Sequence, residues 1–273
     1  MTRWSTLTGV VSLGAAIAAD AGVLVAPTRL VFEGRERSGE FVLVNEGDRV
    51  ERFRISLADR RMNEQGRLEP VDELGAEEHS ARGMLRFSPR QVELRPREPQ
   101  TIRILLRKPG DLERGEYRAH LQIQQIPPPR PAAPADDGPR RFGVRIQPIF
   151  GVSVPVIVRH GTLGASGRID GLELVRLDAE STALRFAIHR EGDRSLYGDV
   201  VAHWLPAGGE AVEVGRTNGV ALYTPNGSRP FSLPLEFPGG VVPKGGRVKL
   251  RYVERENAGS SLIAEAGLVL PSP

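Results

Sequence analysis

The sequence predicts an all-β protein built as two β-sandwiches in tandem. Three observations carry this. Apolar residues recur on alternate positions in short runs, the spacing at which side chains of an extended chain share one face. Glycine (31) and proline (22) punctuate those runs, and hydrophobic residues make up 40% of the chain, enough to fill real cores. The 273 residues suit one large domain or two of ordinary size, and the strand pattern starts afresh after Gly161.

The chain opens with MTRWSTLTGVVSLGAAIAA. Arg3 gives a short positive start, Leu7 to Ile17 an apolar stretch, and the alanines that follow a small-residue cleavage signal. The apolar stretch is short of the ~20 residues that a membrane span needs. Residues 1–21 are therefore expected to be an export signal. With no cysteine, the exported chain would have no disulfide, and each sandwich must hold by its core alone.

Leu24 to Phe32 is the first expected strand, closed by the Glu33-Gly34 turn signal. Gly39 to Asn45 follows, then the alternation of Phe53, Ile55 and Leu57. Asn63 to Gly66 reads as a hairpin tip in a polar stretch. Leu85 to Ser88, Gln91 to Leu94, Thr101 to Arg107 and Glu116 to Ile126 complete the series, separated by Pro89, Pro96, Pro99 and Pro109. About seven strands in ~120 residues is the pattern of an immunoglobulin-like sandwich.

Pro127 to Arg141, PPPRPAAPADDGPRR, has no large apolar residue and reads as a mobile, partly polyproline loop. Alternation then resumes from Phe142 to Arg159, with Val144, Ile146, Pro148, Phe150, Val152, Val154, Val156 and Val158 on one face. At about 3.3 Å per residue this run would extend about 55–60 Å, against about 17–20 Å for a usual strand. The first domain is placed at residues 22–160 and the second at 161–273. In the second, strands are expected at Gly171 to Leu177, Ala183 to His189, Gly198 to Leu205, Val212 to Arg216, Phe231 to Phe237, Arg247 to Glu254 and Leu262 to Leu270. Gly208-Gly209, Asn226-Gly227, Gly239-Gly240 and Gly245-Gly246 mark turns between them. No helix is expected after the export signal.

The chemistry-bearing motifs point away from catalysis. Without cysteine there is no thiolate nucleophile, and the five histidines show no HxxxH or HxH spacing, so neither a metal nor a cofactor is expected. His120 and His189 read as ordinary surface or rim residues of strands. No nucleophile elbow, phosphate loop or dinucleotide fingerprint occurs. Lys and Arg (37) nearly balance Asp and Glu (34), and no basic block meets stacked aromatics, which argues against nucleic-acid binding.

Three segments carry a resemblance. Pro27 to Gly34, PTRLVFEG, resembles the first strand of the periplasmic pilus-assembly chaperones, the PapD-like family. Glu116 to Pro128, EYRAHLQIQQIPP, resembles that family's sixth strand, and Val156 to Arg159 the end of its seventh. The export signal, two sandwiches, proline-rich loop and overlong strand resemble the family's organisation along essentially the whole mature chain. The resemblance implies a non-enzymatic periplasmic chaperone whose partners are pilus or fimbria-like subunits and an outer-membrane usher. Its seventh strand would complete a subunit fold that lacks a strand, backbone bonds pairing with the subunit while alternate side chains fill its groove. Val144, Ile146, Pro148 and Phe150 would be the donated residues; three large apolar side chains buried this way contribute on the order of 5–9 kcal/mol before ordering costs. Arg29 aligns with the family's arginine for the subunit's C-terminal carboxylate, a ligand that suits a bidentate guanidinium. Arg159 and Glu116 align with a structural interdomain ion-pair network, for which Glu254 or Glu256 would supply the third, acidic member.

Two positions depart from the family. Its second anchor, a lysine, is matched by Pro155, and Pro148 removes an N–H from the donated run. The loop also lacks the cysteine pair of the long-loop branch. The alternative expectation is an exported structural or adhesin-like module of two sandwiches. A chaperone needs an unpaired apolar edge, through which it would also self-associate; a module should have paired or charged edges.

Overall fold

The computed structural model describes residues 22–127, 149–178, 181–255 and 261–271. The expected export signal, nearly all of the proline-rich loop, Val144, Ile146, Pro148 and Glu256 lie outside the described residues.

The N-terminal half folds as β1 (Val23–Ala26), β2 (Leu30–Phe32), β3 (Ser38–Asn45), β4 (Glu51–Ala58), β5 (Arg60–Met62), β6 (Leu68–Pro70), β7 (Leu85–Ser88), β8 (Gln91–Leu94), β9 (Pro99–Leu106), β10 (Gly115–Gln125) and β11 (Gly151–His160). One sheet has the order β1-β3-β9-β7 and the facing sheet the order β2-β11-β10-β4-β8; β5 and β6 form a separate hairpin. The core between the sheets holds Phe32, Phe41, Leu43, Ile102, Ile104, Leu121, Ile123, Val156 and Val158, all at or near full burial. At about 1.5–3 kcal/mol for each large apolar side chain, this core accounts for a sandwich that has no disulfide.

The C-terminal half comprises β12 (Ala165–Arg176), β13 (Thr182–Gly192), β14 (Leu196–Leu205), β15 (Val212–Leu222), β16 (Ser228–Leu235), β17 (Arg247–Glu254) and β18 (Leu262–Val269). Its sheets have the orders β12-β13-β16 and β15-β14-β17-β18. Leu184, Ile188, Val200, Leu222, Leu233, Val248, Leu250 and Tyr252 fill the space between them. All strands to His160 pair among themselves, as do all from Ala165 onward. The fold is all-β, two sandwiches in tandem.

In the C-terminal half β12 starts at Ala165, ahead of the expected Gly171, and β15 runs to Leu222, past the expected Arg216. Two segments of the N-terminal half also differ from the sequence expectation. The run expected as one strand from Leu24 to Phe32 is broken at Pro27, which follows a cis peptide bond. Proline has no N–H for a ladder, and the chain uses the break to change sheets. β1 pairs antiparallel with β3, while β2 pairs parallel with β11 at Leu30–Val156, Val31–Ile157 and Phe32–Val158. The second difference is at the start of the long strand. Ile149 and Phe150 precede β11 rather than belong to it, because their neighbour β10 ends at Gln125, opposite Phe150.

β11 is apolar on both faces towards its C-terminal end. Val154, Val156 and Val158 enter the N-terminal core, as the alternation predicts. Pro155, Ile157 and Arg159, on the opposite face, are buried as well, and Ile157 joins the C-terminal core together with Val31. The β5–β6 hairpin reaches the same sandwich: Met62 is 4% exposed within its core, and Asn226 Nδ2 donates to Met62 O at 3.0 Å. The hairpin tip turns at Gly66 (φ 80°), as Asn63 to Gly66 predicts, and the Arg229 guanidinium lies 2.0 Å from where a Cβ would stand. Only glycine fits there.

Candidate functional site

The register of β11 decides which of its backbone groups are free. Gln125 N–H donates to Phe150 O at 2.9 Å, so the even-numbered residues of this segment bond to β10. N–H and C=O of a residue in an antiparallel ladder point to the same side, alternating along the strand. Gly151, Ser153 and Pro155 therefore present theirs to the opposite side. There β2 covers only Val156 to Val158. Among the described residues no strand covers Gly151 to Val154, and this edge is open. Pro155 fits the position because the donor it lacks would face outward. Phe150 (48% exposed) and Ile149 (52% exposed) continue the chain from this edge as large apolar side chains in solvent.

The face of this sheet turned towards the C-terminal sandwich carries the charged residues. Arg159 Nε donates to Glu116 Oε2 at 3.0 Å, and Arg159 Nη1 pairs closely with Glu33. Glu116 is buried and also accepts from Ser195 of the C-terminal sandwich, from its N–H at 3.1 Å and from its hydroxyl. Thr224 N–H donates to Ser195 Oγ at 3.1 Å. Burial opposes the charge on Arg159, but Glu116 and Glu33 outweigh it and hold the guanidinium above its ordinary pKa. The third, acidic member of this network is Glu33. Glu254 pairs with Arg194 of its own sandwich at 2.9 Å, and against the effect of burial that pair lowers its pKa, the Arg159 charge also helping. Glu33 lies two residues past Val31, hence on the same strand face as Arg29. That period of two was the signal that could have found it; Ser195 has none in the local sequence.

Arg29 immediately precedes β2. Its guanidinium stacks on the Tyr197 ring, 4.0 Å from Cζ to centroid, so it lies between the two sandwiches. Burial lowers its pKa, and the Arg159 charge adds to the effect. Among the described residues it has no ion pair and no hydrogen bond, and its Nε is buried without a partner. A desolvated, unpaired guanidinium is costly unless an anion joins it. Arg118, close by, stacks on Tyr223 at 4.4 Å and, among the described residues, donates only to carbonyls, of Thr224 at 3.1 Å and Arg60 at 3.2 Å. This part of the cleft therefore has an excess of positive charge.

The structure corrects His120. It is fully buried rather than a surface or rim residue, because its face of β10 is covered by the C-terminal sandwich, with the Tyr223 ring edge-on at 6.4 Å between centroids. Burial, with Arg118 and Arg60 adding, depresses its pKa to about 3. His189 is half-exposed and bonds Asp170 at 2.9 Å. Among the described residues no group of three or more His, Asp or Glu could hold a metal ion. A groove of ≈ 590 Å³ runs past Arg86, Phe87, Arg103 and Leu105 on β7 and β9, in the other sheet of the N-terminal sandwich.

No protein-family model matches the sequence, and no curated protein does. Solved structures with a similar fold include a chain of the CsuC–CsuE chaperone–tip adhesion subunit pre-assembly complex of Acinetobacter baumannii (TM-score 0.47, 10% identity, 93% of this chain and 100% of that one). The CupB2 chaperone of Pseudomonas aeruginosa matches with a TM-score of 0.43 and 14% identity, over 90% of this chain and 100% of that one. The E. coli chaperone DraB matches with a TM-score of 0.43 and 14% identity, over 92% of this chain and 97% of that one.

Proposed function

We propose that this protein is a periplasmic chaperone of pilus or fimbria-like subunits, holding each one by strand donation and delivering it to an outer-membrane usher. The observation that carries the reading is the open edge of β11 from Gly151 to Val154, with Phe150 exposed at its start and unpaired Arg29 in the cleft near its end. An unpaired edge with apolar side chains next to it suits a subunit that lacks a strand. The desolvated guanidinium suits the carboxylate at that subunit's C-terminus. Val144, Ile146 and Pro148 would extend the donated run on the sequence alternation alone. The residues of the Arg159–Glu116–Glu33 network serve to fix the two sandwiches and are not ligands.

The test is recovery of a co-expressed, strand-deficient pilus subunit from the periplasm. Ile146→Asp and Phe150→Asp should leave circular dichroism and melting temperature unchanged and abolish recovery. Wild-type yield with both variants would reject strand donation and favour the structural or adhesin-like module. Arg29→Ala should weaken capture of a peptide that ends as the subunit does; unchanged affinity would place the anchor elsewhere.

A further inference from the structure

The parallel pairing of β2 with β11 starts at Leu30–Val156, so Arg29 stands level with Pro155. On the other side of β11, Pro155 is directly opposite His120 of β10. Arg29, Pro155 and His120 thus form one row across the sheet, on the face turned to the C-terminal sandwich. Strands lie about 4.8 Å apart, which puts Arg29 and His120 roughly 10 Å apart at the backbone, with the proline ring between them. Ser153 is two residues from Pro155 along β11, hence on the same face.

Three side chains around this one proline have buried polar atoms without a partner. These are Arg29 Nε, both ring nitrogens of His120, and Ser153 Oγ. Roughly 90% or more of buried polar groups find a partner, so three neighbours on three adjacent segments are a cluster to be explained. Arginine brings only donors, serine a hydroxyl that donates and accepts, and neutral histidine one N–H and one acceptor nitrogen. The guanidinium can be satisfied only by an acceptor, and none reaches its Nε among the described residues. Arg29 and Arg118 add positive charge that no carboxylate pairs with among the described residues. A planar anion with two acceptor oxygens satisfies the donors and the charge together.

We infer that His120, assisted by Ser153, forms the second half of the Arg29 site, so that a chain-terminal carboxylate lies over the Pro155 ring between the Arg29 guanidinium and the His120 N–H. The inference rests on the reading of Arg29 as a carboxylate anchor. Pro155 contributes a flat apolar floor and no donor, and the strands on either side supply the polar groups. Tyr223 covers His120 from the C-terminal sandwich, so its ring gives way as the ligand seats.

The full chain, with the histidine rings labelled with nitrogen-15, is titrated with N-acetylalanine and, separately, with N-acetylalaninamide. The His120 ring nitrogens should shift with the free acid and not with the amide. His120→Phe, which replaces an unpartnered ring by an apolar one, should stay folded and lose about tenfold in affinity for the acid. His120→Gln, which keeps a donor, should retain most of that affinity. If Arg29→Ala abolishes binding while His120→Phe leaves affinity and His120 shows no shift, the inference fails and the Arg29 anchor stands. If Arg29→Ala changes nothing, the anchor itself fails.

Discussion

At the scale of single residues, the cleft is organised by groups whose charge is set by burial. His120 has a folded pKa of about 3, below its ordinary value of about 6.5. As pH falls through 6.5 the unfolded chain takes up a proton that the folded ring refuses, so stability falls from there down to about pH 3, and nothing is lost above 6.5. At about 1.4 kcal/mol per unit, the loss reaches on the order of 5 kcal/mol. Wild-type melting temperature should therefore drop between pH 6.5 and 4, and His120→Phe should flatten that drop; parallel profiles would show that His120 is not the group responsible. The sequence alone did not disclose this residue. His120 follows Ala119 and precedes Leu121, both buried in the N-terminal core, so its place on the other face of β10 was readable. The partner covering that face was not, since Tyr223 is 103 residues away.

At the scale of elements, β11 is set apart by how the other edges are treated. β1, β2, β7 and β8 are edges of three or four residues. The longer edges β12, β15 and β18 carry register shifts, and β16 loses two N–H groups at Pro230 and Pro234. Short length, bulges and proline are the usual protections of an edge. Gly151 and Ser153 have none; Pro155 is the one blunting residue, at the end of the open stretch. Pro155→Val adds an outward amide donor there, and sedimentation should show concentration-dependent self-association above that of wild type. Identical sedimentation would mean that the edge is not accessible to a second strand. Val152 to Val158 showed in advance which face of β11 enters the N-terminal core, because period two is a local property. That Pro155, Ile157 and Arg159 are buried too depends on a second domain docking, which leaves no periodicity behind.

At the scale of the whole molecule, two cores that could each stand alone are coupled by the β5–β6 hairpin and by β11. Met62 is a residue of the first half buried in the core of the second, and Gly66 gives way to Arg229 at the hairpin tip. Met62→Asp places a carboxylate in that core, where an unpaired charge is expensive. Wild type should melt in one cooperative calorimetric transition and Met62→Asp in two, the N-terminal sandwich keeping its own temperature. A single transition at a uniformly lower temperature would show that the hairpin stabilises without coupling. The two-sandwich organisation was legible in turn spacing and alternation. The hairpin was visible as an Asn63–Gly66 turn, but nothing in its own sequence tells that it docks on the other half.

The bonds that cross between the sandwiches have a consequence for how the molecule responds to ions. Arg118 reaches Thr224 through a carbonyl, Asn226 reaches Met62 through another, and Glu116 holds Ser195 from a fully buried position. Screening at physiological ionic strength acts over about 8 Å of solvent and touches buried or carbonyl-directed bonds little. Among the described residues the ion pair that crosses between the sandwiches, Arg114–Asp193, is exposed on both sides and open to screening. The angle between the sandwiches is thus held by dipoles and dry contacts, and should stay the same in dilute buffer and in molar salt.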